Sequence, residues 1–94
     1  MDMSKLLVKL DSATCLQNAA RQFMVDSGIA AEYQKHGAPV PRIPRVQFWS
    51  SRQRRQFEDW LFERGALLVQ DNGRFHLAFF NEPDRTFFML KWQR

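Results

Sequence analysis

The sequence predicts an α+β domain: two or three helices in the N-terminal and central parts, followed by a C-terminal three-stranded antiparallel sheet, with a possible extra strand at the N-terminus. Three observations carry this. Apolar residues recur at helical spacing between Asp11 and Gly28 and again between Ser50 and Gly65. Two strand-like runs flank Asn72-Gly73, and a third aromatic run, TFFMLKW, follows near the end. At 94 residues the chain has room for one core, so residues 1–94 are read as one small domain without space for a separate catalytic unit.

Each element has its own signal. Lys5 to Leu10 (KLLVKL) is a short apolar run with lysines that reads as an edge strand. Asp11 or Ser12 then offers a side-chain oxygen to cap a first helix, which keeps Leu16, Ala20 and Phe23 on one face and stops at Gly28. Ile29 to His36 reads as a second short helix ended by Gly37. Pro39, Pro41 and Pro44 impose an extended connection over 37–49, because proline has no amide proton and restricts the residue before it. The third helix is the best marked. Ser50 and Gln53 fit a capping box, Phe57, Trp60, Leu61 and Arg64 share a face, and Gly65 stands where a left-handed terminator is wanted.

Asn72-Gly73 accepts positive φ at both positions, the requirement of a two-residue type I′ turn. That turn sets the register: Asp71 faces Arg74, Gln70 faces Phe75, Val69 faces His76, Leu68 faces Leu77 and Leu67 faces Ala78. Leu68, Leu77 and Phe79 then point one way, and Leu67, Val69, Ala78 and Phe80 the other. If TFFMLKW is the third strand, it adds Phe87 and Met89 to one face and Phe88, Leu90 and Trp92 to the opposite one. One face needs the helices and the second needs another cover, which is either the N-terminal strand with the proline segment or a protein partner. Phe88, Leu90 and Trp92 are the candidate protein interface on that second face.

The charge is concentrated. Residues 42–55 hold Arg42, Arg45, Arg52, Arg54 and Arg55 and no acid, while the flanking segments are almost balanced, so this patch accounts for the net charge of +4. Guanidinium groups pair bidentately with phosphate or carboxylate. Arg52, Arg54 and Arg55 fall in the first turns of the third helix, where unpaired amides and the dipole already favour an anion and disfavour cations. Together the five arginines form a candidate nucleic-acid or anion site, with Phe48 and Trp49 as candidate stacking residues. A plainer alternative pairs Arg54 with Glu58 and Arg55 with Asp59 at i,i+4 spacing and leaves the other three solvated.

The run WLFERGALLVQDNGRFHLAFF resembles the recognition helix and wing of a winged helix-turn-helix, which implies that Arg52, Arg54 and Arg55 sit at the groove-facing start of that helix. The proline-bearing connection ahead of it departs from the tight turn such a helix needs. No family assignment follows.

Other chemistry is not signalled. His36, His76 and Cys15 stand at no ligand spacing, so no metal or cofactor is expected. Ser50 or Ser51 with His76 lacks the surrounding motif of a nucleophile, and no enzyme activity or small-molecule substrate is expected. The longest apolar runs fall far short of the ~20 residues that cross a bilayer. With a single cysteine, the chain is expected to be cytoplasmic and without a membrane partner. Function is therefore expected to be non-catalytic binding of nucleic acid or a nucleoprotein complex through the arginine patch. The alternative is a small stand-alone inhibitor or adaptor, of phage or mobile-element type, that docks on a host protein through an apolar sheet face and the patch. A homodimer that hides the spare face is a third possibility.

Overall fold

A computed structural model describes residues 7–93. The chain forms strand β1 (Val8–Leu10), helices α1 (Ala13–Asp26) and α2 (Ile29–Lys35), a 3-10 turn over Val46–Phe48, helix α3 (Ser51–Phe62), strands β2 (Ala66–Asp71) and β3 (Arg74–Phe79), and helix α4 (Glu82–Trp92). The sheet is antiparallel with strand order β1-β3-β2. The α+β class and the three-stranded antiparallel sheet agree with the sequence reading.

Local signals explain most elements. Ser12 caps α1, its Oγ accepting from the Cys15 amide at 3.2 Å, and Gly28 at φ 86 ends that helix and starts α2. Asn72 and Gly73 have φ 50 and 78, both positive as a type I′ turn requires. The observed register, from Asp71↔Arg74 to Leu67↔Ala78, is the one that turn dictates. Of the expected first strand, Val8–Leu10 pairs with β3, whereas Lys5 and Leu6 lie outside the described residues.

The third strand is corrected. TFFMLKW is not a strand: it is the body of α4, and the third member of the sheet is β1. Asn81 caps α4, its Oδ1 accepting from the Asp84 amide at 2.9 Å. Pro83 sits in the first turn with Glu82 and Asp84, and Lys91 sits in the last, an arrangement favoured by helix-end electrostatics. Phe88 and Trp92, four residues apart, then meet the core on one side of the helix, which outweighs the β preference of the Thr-Phe-Phe run.

This changes what lies on the second sheet face. That face carries Lys9, Leu67, Val69, Asp71, Arg74, His76 and Ala78, of which only Ala78 is buried, so it is more polar than a sheet completed by TFFMLKW would be. β1 does not cover it either, because β1 extends the sheet edge.

The core lies on the other face. Leu10, Ala66, Leu77 and Phe79 from the strands meet Cys15, Ala19, Ala20 and Phe23 from α1, Phe57, Trp60 and Leu61 from α3, and Phe88 from α4. Its centre is aromatic. Phe23 lies 5.1 Å from Phe57, 5.6 Å from Trp49 and 6.1 Å from Trp60, centroid to centroid. Trp92 closes the cluster against Trp60 at 5.9 Å.

At the rim of this cluster a polar link joins α1 to α3. Asp26 accepts from Trp60 Nε1 at 3.0 Å and from Gln22 Nε2 at 2.9 Å. Arg64 lies 3.9 Å from the same carboxylate, with its guanidinium 3.7 Å from the Trp60 ring centroid. The Gln22 hydrogen bond, then the Trp60 bond and the Arg64 charge, hold the Asp26 carboxyl below its ordinary 3.8, although partial desolvation opposes them. A carboxyl with a lower pKa in the folded state adds stability above its unfolded value and loses it as pH falls through the folded value. Stability is therefore expected to drop as pH falls below 3.8. Asp26→Asn, which keeps the acceptor for Trp60, should flatten that limb in thermal melts followed over acid pH. An acid limb identical to that of the parent protein would contradict the assignment.

Candidate nucleic-acid interface

The site starts with the cap of α3. Ser50 Oγ accepts from the Gln53 amide at 3.2 Å and Gln53 Oε1 accepts from the Ser50 amide at 3.1 Å, a complete capping box. The amides of Ser51 and Arg52 remain without an acceptor among the described residues, and the first turn carries no acid. This is the partly positive end of a twelve-residue helix.

α3 buries Phe57, Trp60 and Leu61. At about 100° per residue, that face leaves Arg52 and Arg55 on the far side and Arg54 on a flank. Arg52 and Arg55 are exposed accordingly, as are Arg42 and Arg45 in the preceding connection. None of the five arginines has a carboxylate within 4.0 Å among the described residues, so the Arg54–Glu58 and Arg55–Asp59 pairs are not formed. The acids of this region are engaged elsewhere or solvated: Glu63 lies 3.8 Å from Arg64, and Glu58 and Asp59 are exposed.

Arg54 is the exception to free solvation. Its guanidinium stands over the Phe75 ring of β3 at 5.6 Å, and its Nε is buried without a hydrogen-bond partner among the described residues. Sequence reasoning misses Phe75, because nothing local signals a pair that spans two elements. Arg45 stands similarly near Phe48, 6.0 Å from the ring centroid.

The connection ahead of α3 is pinned to the body. Pro44 and Val46 are buried, and the 3-10 turn over Val46–Phe48 replaces part of the extended path expected over 37–49. It separates the two candidate stacking residues. Trp49 packs inward against Phe23 and Phe57, at 5.6 and 5.5 Å, whereas Phe48 is 73% exposed. Phe48 keeps an exposed ring beside Arg45, and Trp49 belongs to the core.

The candidate protein interface is also divided. Phe88 is buried in the core and Trp92 is half-buried against Trp60, so of the three only Leu90 is exposed. The reason is the helical path of α4, which sends Phe88 and Trp92 to the inner side. Among the described residues no three His, Cys, Asp or Glu side chains could hold a metal ion, and no helix is long and apolar enough to cross a membrane. The helix-plus-hairpin order that resembles a winged domain is present, but the connection from α2 to α3 is the long pinned segment described above. Comparison with protein-family models, curated proteins and solved structures finds no match.

The orphaned Arg54 Nε makes a testable point about the site. A buried donor without an acceptor costs stability, whereas an apolar side chain of similar length costs nothing of the kind. Arg54→Met should therefore leave stability within about 1 kcal/mol of the parent or raise it in denaturant titration. A loss well beyond that would mean that the Arg54–Phe75 contact is mainly structural.

Proposed function

We propose that this protein is a non-catalytic binding domain that contacts nucleic acid, or a nucleoprotein complex, through Arg42, Arg45, Arg52, Arg54 and Arg55. One observation carries the reading: five arginines without an ion-pair partner among the described residues are set in and just ahead of the first turns of α3. Cations there oppose the helix dipole, and a phosphate relieves the conflict by accepting from the Ser51 and Arg52 amides and from the guanidinium groups together. Exposed Phe48 beside Arg45 adds an aromatic surface to the patch. Contacts of this kind position a polyanion without reading its sequence, so no base preference is proposed. A cytoplasmic setting suits such a partner and the free Cys15 thiol.

A second reading, an adaptor or inhibitor that docks on another protein, is favoured by one separate feature. Phe62 and Phe80 are 60% and 48% exposed and meet edge-on at 6.3 Å. In that reading the arginines govern encounter with an acidic surface.

Fluorescence anisotropy with labelled single- and double-stranded DNA and RNA at two salt concentrations separates the two. Affinity should fall steeply with salt. Arg52→Ala, Arg54→Ala and Arg55→Ala combined should weaken binding and lower the logarithmic salt slope by roughly 0.7–0.9 for each phosphate no longer neutralised. Circular dichroism checks that the variant folds. No binding to any of the four probes at low salt would overturn the first reading in favour of the second.

A further inference from the structure

Helix α4 turns Phe88, Met89 and Trp92 to the core and leaves its opposite side to solvent. There Phe87 is 80% and Leu90 68% exposed, and Pro83, one turn before Phe87, is exposed as well. Residues three and four apart adjoin on a helix surface, so the three form one apolar stripe. Asp84 and Lys91 flank that stripe on the same side, and both line a hollow of about 270 Å³ with Phe87 and Arg64. Neither has an ion-pair partner among the described residues, since Glu82 takes Arg85 and Arg64 takes Asp26 and Glu63. Nor can they pair within one helix, because they stand two turns apart, about 10.5 Å along the axis.

We propose that the Pro83–Phe87–Leu90 stripe of α4 is a self-association surface that seats the same helix of a second copy of this chain, antiparallel, across a two-fold axis near Phe87. Charge complementarity selects this occupant. A two-fold axis perpendicular to the plane of the two helices reverses the helix direction and keeps each flank on its own side. Asp84 of one copy then falls opposite Lys91 of the other, and the pair repeats by symmetry. The acidic first turn, Glu82 and Asp84, meets the end that carries Lys91, and the two helix dipoles oppose each other favourably. An apolar centre with an acid and a base on one flank is thus complementary to itself. Eleven residues make a short contact, well under the ~800 Å² per partner of a standard interface. The dimer is accordingly weak and fills at high micromolar concentration.

Sedimentation equilibrium of the full chain from about 10 µM to about 1 mM tests this. The weight-average mass should climb from 11.2 kDa toward twice that value. Leu90→Glu should hold the chain monomeric throughout with an unchanged thermal melt. Asp84→Lys and Lys91→Glu should each weaken association about 3- to 10-fold, because each turns an attractive pair into a repulsive one, and the double exchange should restore it to within about twofold of the parent. Should Asp84→Lys fail to fold, Leu90→Glu and Lys91→Glu carry the test alone. A strict monomer at the highest concentration overturns the proposal, as does association undiminished by Leu90→Glu or, with both single variants folded and weakened, a double exchange that restores nothing.

Discussion

The contact between Phe57 and Phe23 is the constraint on which the rest of the molecule depends. The two rings, 5.1 Å apart, join α3 to α1 and bring Trp49 and Trp60 into the same cluster. Burying a side chain of this size is worth roughly 1.5–3 kcal/mol, so the rotation of α3 about its own axis is fixed by Phe57, Trp60 and Leu61 together. The placement of the charge follows. With that face inward, Arg52 and Arg55 have nowhere to go but solvent, and Arg54 is carried sideways onto Phe75. The patch is thus a consequence of core packing as well as of composition.

The same cluster disciplines the segment before the helix. Trp49 is drawn inward, Pro44 and Val46 are buried, and Phe48, between Val46 and Trp49, is left outside beside Arg45. The last part of the proline-rich connection is therefore held against the body at Pro44, Val46 and Trp49, with Arg42 and Arg45 exposed along it. At the rim of the aromatic cluster, Asp26 ties the end of α1 to Trp60 and Arg64, and the Gln22 hydrogen bond together with these contacts lowers the pKa of its carboxyl.

What the sequence made legible was local. The α3 cap, the Gly65 stop and the Asn72-Gly73 turn each depend on a few adjacent residues, and the strand register followed from turn geometry alone. The fate of TFFMLKW did not, because Thr-Phe-Phe favours a strand while Asn81, Pro83 and Asp84 favour a helix start. The contest is settled by Phe88 and Trp92 reaching the core together. In the site, the arginines were visible as a charge block. Which of them stay unpaired, the contact of Arg54 with Phe75 and the opposite fates of Phe48 and Trp49 all depend on how α3 sits against α1 and the hairpin, which no local pattern encodes.

If the start of α3, with its arginines, is where this protein meets a polyanion, the binding should be visible there residue by residue. Two-dimensional NMR of the labelled chain, titrated with a short oligonucleotide and resolving backbone amides and arginine side chains, reads this out. Saturable shifts are expected at the Ser51 and Arg52 amides and at the guanidinium groups of Arg42, Arg45, Arg52, Arg54 and Arg55, with Trp49 and the Phe57 region little moved. Saturable shifts centred elsewhere, or none at low salt, would contradict a polyanion site at the start of α3.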